Sequence, residues 1–83
     1  MSYFTNKAKE LSATAVARKE EIDLKLNSLL PFIVSLKGIG VPDSYSYVEL
    51  DAKITEIKNL MIAQNTLLTR IDDCHHYANM TGE

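Results

Sequence analysis

From Tyr47 to Ala78 the chain repeats one pattern without a break. Tyr47, Leu50, Ile54, Ile57, Met61, Gln64, Leu68, Ile71, His75 and Ala78 follow one another at alternating steps of three and four, and eight of the ten are apolar or aromatic. Such steps bring side chains to one side of an α-helix, so the stretch is predicted to be one long amphipathic helix. Leu60, Leu67 and Cys74 widen the stripe on one side, while Asp51, Lys58, Asn65 and Asp72 border it on the other. A stripe of this length suits a helix that lies along other helices.

The first half of the chain repeats the pattern less cleanly. Phe4, Ala8, Leu11 and Ala15, then Ile22, Leu26, Leu29, Ile33 and Leu36, again have helical spacing, with a slip of about one residue expected where Arg18 and Lys19 interrupt the stripe. Ala8, Ala13, Ala15 and Ala17 favour helix and let a neighbouring backbone approach closely. Pro31 removes the bond to the Asn27 carbonyl and is expected to kink or break the helix there. Gly38 stands where a left-handed C-cap belongs, and Gly40, Pro42 and Asp43 extend the turn. Ser46 and Glu49 match a capping box that would open the second helix.

These signals predict an all-α single domain: an antiparallel helical hairpin with a helix over about 4–37, a turn over 38–45, a helix over about 46–77 and a frayed tail over 78–83. Eighty-three residues bury a modest core, and self-association is the natural remedy. The stripe is also wider than one partner helix covers, since Ile62 adds to it in the second helix and Leu24, Leu30 and Phe32 in the first. Leu50, Ile54, Ile57, Leu60, Met61, Gln64, Leu67, Leu68 and Ile71 are therefore the candidate interface of a homo-oligomeric helical bundle. Gln64, a polar residue inside the stripe, is expected to set register.

Charge and cysteine content narrow the function classes. A formal charge of −2 disfavours nucleic acid and anionic membranes as partners. The longest apolar run is far too short to span a bilayer. A single Cys74 excludes an intramolecular disulfide framework, and the start of the chain lacks the pattern of a signal peptide, so a soluble cytoplasmic protein is expected.

Reactive side chains are densest at Asp72-Asp73-Cys74-His75-His76, where Asp72 and His76 have a metal-chelating separation. No second Cys or His stands elsewhere to complete a zinc set, so these groups read as the polar last turns of a helix and no metal is expected. No nucleophile has a base and an orienting acid at suitable spacing, and Gly38-Ile39-Gly40 is followed by Val-Pro rather than by a phosphate-binding helix start. Neither catalysis nor a cofactor is expected. Tyr3, Lys7 and Arg18 form an alternative ligand set: in an oligomer they could converge on an anionic nucleotide, the ring stacking on the aromatic and the cations holding phosphate.

No motif assigns a family. The architecture alone, two long helices about a Gly/Pro turn, resembles type III secretion subunits and co-chaperones, small phage assembly factors and phage-encoded inhibitors. What the sequence leads one to expect is a non-enzymatic, self-assembling interaction protein that binds another macromolecule, as an assembly factor or an inhibitor of a host protein does. The alternatives are an oligomeric nucleotide binder and a secretion-system subunit or co-chaperone.

Overall fold

The computed structural model of the chain describes residues 2–39 and 44–83, and for 36–39 and 44–46 the backbone alone. Two helices account for nearly all of it: α1 spans Tyr3–Ile39 and α2 spans Ser44–Thr81. They run antiparallel, because Phe4 packs on Tyr77 at one end and Lys53 lies over the Phe32 ring towards the other. The fold is the all-α helical hairpin that the two stripes predict. It measures 61 × 16 × 12 Å, a rod one helix thick in its thinnest direction.

The helices meet along a seam of strict heptad steps. From α1 it takes Phe4, Ala8, Leu11, Ala15, Arg18, Ile22, Lys25, Leu29 and Phe32; from α2 it takes Leu50, Lys53, Ile57, Leu60, Gln64, Leu67, Ile71, Cys74 and Ala78. All are buried or half-buried. The centre of the core is Ala15, Leu67 and Ile71, with Leu11 against it. The expected slip at Arg18 does not occur. Arg18 and Lys25 stay on the seam because their aliphatic stems can cover apolar surface while the charged ends reach out, as Lys25 does to Glu56.

Gln64 forms a hydrogen bond from one helix to the other. Its Nε2 donates to the Ala15 carbonyl at 2.7 Å, a reach made possible by the single methyl group at position 15. The amide oxygen of Gln64 is buried without a hydrogen-bonding partner. One half of the side chain is thus satisfied across the seam and the other half carries a desolvation cost.

α1 runs unbroken through Pro31, the continuous one of the two arrangements expected there; Pro31 is exposed together with Asn27, so water can serve the carbonyl that the proline leaves without a donor. Three other local expectations are corrected. Gly38 is helical rather than a left-handed cap, since α1 continues to Ile39; the rest of the predicted turn, 40–43, lies outside the described residues. α2 opens at Ser44, two residues ahead of the predicted Ser46 start, and the side chain that would make the capping box with Glu49 lies outside the described ones.

The third correction concerns the tail, which is helix as far as Thr81 rather than frayed chain. α2 continues to Thr81 with Ala78 buried, and then closes in a Schellman motif. The Glu83 amide donates to the Ala78 carbonyl at 2.9 Å and the Gly82 amide to the Asn79 carbonyl at 3.4 Å, with Gly82 at φ +75°. Glycine is the residue that adopts this φ without steric cost.

Candidate functional site

Each helix has two flanks beside the seam, and the two sides of the rod differ. On one side α2 presents Tyr47, Ile54, Met61 and Leu68, each seven residues from the next and exposed to 54%, 45%, 49% and 46%. The matching flank of α1 brings Leu26, exposed, and Ile33, half-buried, to the same side, with exposed Val16 and Leu30 beyond them. Lys19, paired with Asp23 at 2.9 Å, separates Val16 from Leu26. This is a second heptad line, turned about 40° from the nearer row of seam residues, with no helix lying on it among the described residues.

The nine predicted interface residues therefore divide. Leu50, Ile57, Leu60, Gln64, Leu67 and Ile71 face α1 inside the hairpin, whereas Ile54, Met61 and Leu68 face outward. The stripe read from the sequence joined one row of the seam to this outer line, because Leu26, Ile33, Ile54, Met61 and Leu68 are more apolar than the seam residues Arg18, Lys25, Lys53 and Cys74.

Among the described residues, two depressions lie on the opposite side. The larger, about 290 Å³, opens near the start of α1 and the end of α2 and is lined by Tyr3, Phe4, Lys7, Leu11, Arg70, Asp73, Cys74 and Tyr77. Its floor is made of seam residues, Phe4, Leu11 and Cys74, and its rim of the flanking Lys7, Arg70 and Tyr77. Aromatic contacts hold the wall: Tyr3 meets Phe4 edge-on with centroids 5.2 Å apart, and Phe4 meets Tyr77 at 5.4 Å. The smaller, about 70 Å³, lies at Lys25, Ser28, Lys53, Glu56 and Ile57. There Lys25 donates to Glu56, which holds the Glu56 carboxyl below its ordinary pKa and the Lys25 ammonium above its own.

Of the predicted ligand set, Tyr3 and Lys7 come together in the larger cleft and Arg18 does not. Arg18 is a half-buried seam residue eleven positions along α1 from Lys7, roughly 16 Å at 1.5 Å per residue. The second cation of the cleft is Arg70, supplied by α2. Arg70 and Tyr77 escape a reading of either helix alone; they become legible once the hairpin is folded about its turn, which carries the end of α2 back to the start of α1. Asp72, His75 and His76 are exposed, Cys74 is half-buried, and among the described residues no three His, Cys, Asp or Glu side chains gather as a metal site. Nor, among the described residues, is any helix long and apolar enough to cross a membrane.

Comparison of the chain with protein-family models, with curated proteins and with solved structures finds no match. Functional inference therefore starts from the two sides of the rod.

Proposed function

We propose that the hairpin is a non-enzymatic, self-assembling interaction protein of the cytoplasm, which pairs with a second copy through its outer heptad line and in that form binds another macromolecule. The observation that carries this reading is the row Tyr47, Ile54, Met61 and Leu68, four large side chains about half exposed on one straight line. A rod one helix thick has no second layer, and stable helical domains have two. A second copy supplies an identical apolar layer, and a two-fold axis makes the same row serve both partners. Centred on Met61, an antiparallel pairing sets Met61 against its symmetry mate and Ile54 against Leu68. The resulting four-helix bundle would hold its macromolecular partner on its outer surface, in the manner of an assembly factor or an inhibitor. The lone Cys74 suits a reducing compartment.

The test is mass in solution. Light scattering behind a sizing column, over a hundredfold range of concentration, is expected to give twice the chain mass of 9.3 kDa or a higher multiple. Leu68→Asp should bring the mass back to one chain while circular dichroism stays helical. A wild-type monomer throughout, or a Leu68→Asp variant of unchanged multiple mass, overturns the proposal.

A further inference from the structure

The cleft between the start of α1 and the end of α2 lies on the side of the rod away from the outer apolar row, so pairing through that row leaves it open. Its chemistry is mixed in an informative way. The floor and wall are apolar and aromatic, from Phe4, Leu11, Cys74 and Tyr77, whereas the rim carries the two cations Lys7 and Arg70. Apolar lining with a few convergent polar groups is what small-molecule sites have in common. Two features then limit the ligand. A volume of about 290 Å³ stands at the small end of the range for ligand sites and suits a molecule of one or two rings rather than a larger one. The charge balance is also nearly even, because Asp73 is part of the lining and Glu10 pairs with Lys7 at 3.7 Å. A single negative charge matches such a rim better than two.

Arg70 belongs to none of the ion pairs formed among the described residues, which are Lys7 with Glu10, Lys19 with Asp23 and Lys25 with Glu56. A guanidinium in that state can take both oxygens of a carboxylate side by side. Phe4 and Tyr77 offer rings on which a flat ligand can stack. We propose that this cleft binds a small aromatic monocarboxylate, its ring on the Phe4 and Tyr77 wall and its carboxylate between Arg70 and Lys7. Within one chain the cleft unites Tyr3 and Lys7 of the set expected to hold an anionic nucleotide with Arg70 rather than Arg18. Binding in so open a groove is weak, with a dissociation constant on the order of 1 mM.

The experiment is a titration of the full chain followed by nuclear magnetic resonance, with indole-3-acetate, benzoate, acetate and adenosine monophosphate as probes. Indole-3-acetate is expected to shift the Phe4 and Tyr77 ring resonances and the Arg70 side-chain signal at millimolar concentration, benzoate less so, and acetate to leave the rings unmoved. Arg70→Gln, at an exposed position that leaves the seam intact, should weaken the indole-3-acetate titration about tenfold. Glu10→Gln should strengthen it two- to threefold, because it releases Lys7 from its pair. Tyr77→Leu keeps an apolar wall and removes the stacking face, and should reduce the response to indole-3-acetate more than the response to benzoate. No ring shift with either aromatic acid overturns the proposal. So does a response to acetate as large as that to indole-3-acetate, an Arg70→Gln variant that binds like wild type, or tighter binding of adenosine monophosphate than of both aromatic acids. Because the readout is local to the cleft, its result is independent of whether the chain pairs.

Discussion

The Glu83 side chain caps the helix that begins at the other end of the chain: its Oε1 accepts the Phe4 amide at 2.9 Å and the Thr5 amide at 3.4 Å. These are the second and third amides of α1, the ones an N-cap side chain ordinarily takes, and the first turn of α1 has no acidic residue of its own. The Thr81 hydroxyl lies 3.0 Å from Oε2 and 2.9 Å from the Tyr77 carbonyl, so its one proton is divided between the two acceptors. Glu83→Ala should lower stability by about 1 kcal/mol and speed amide hydrogen exchange at Phe4 and Thr5. Unchanged exchange at both amides would show that the cap contributes nothing.

Leu67 and Leu68 are neighbours with opposite duties, 7% and 46% exposed. Leu67→Ala leaves a hole beside Ala15 and Ile71 and should cost about 2–4 kcal/mol in a denaturant titration. Leu68→Ala should change the stability of the isolated hairpin by no more than about 0.5 kcal/mol, yet weaken pairing in a dilution series. Equal effects on unfolding would mean that the two residues do not sit on different faces.

Gln64 separates stability from register. Gln64→Leu removes a buried oxygen without a partner along with one hydrogen bond, so unfolding free energy should stay within about 1 kcal/mol of wild type or rise. Gln64→Ala should cost about 1–2 kcal/mol through the space it leaves. The mark of a lost register lock would be broadening or doubling of amide resonances around Ala15 in Gln64→Leu, and sharp single resonances would count against that role.

The Lys25–Glu56 bridge gives a pH dependence whose sign follows from the two shifts. The hydrogen bond from Lys25 lowers the Glu56 pKa, so its contribution is present above the ordinary carboxylate pKa and disappears as pH falls through the lowered value. The Lys25 pKa is raised, so its contribution is full below the ordinary lysine value and disappears as pH rises through the elevated one. Both groups are solvated, and the effect is small. Melting temperatures of wild type and Glu56→Gln should differ at neutral pH and converge in acid. A difference that persists at pH 2 would contradict the pairing.

Much of this fold is legible in residue order, because heptad spacing and a Gly/Pro turn leave few arrangements other than a hairpin. The finer errors share one cause. Hydrophobicity ranks Met61 and Leu68 above Lys53 and Cys74, but the seam is chosen by fit between helices, and there Lys53 can lie across the Phe32 ring while the small Ala8 and Ala15 let the backbones close in. The polar composition of the tail reads as a loose end, although Gly82 has the signature of a helix stop and Glu83 has a partner only once the chain has folded back. The cleft was half visible for the same reason: Tyr3 and Lys7 are close in sequence, while Arg70 and Tyr77 join them only in space.

The contact between Gln64 and position 15 has an implication for how this sequence could drift. The acceptor is a backbone carbonyl, an atom that every residue type provides, so what position 15 must preserve is volume rather than chemical character. Glycine or serine there would still let the amide arrive, while valine or leucine would push it away without altering any hydrogen-bonding group. Variation at such a site would look permissive in polarity and strict in size, the opposite of what a polar contact usually leaves behind.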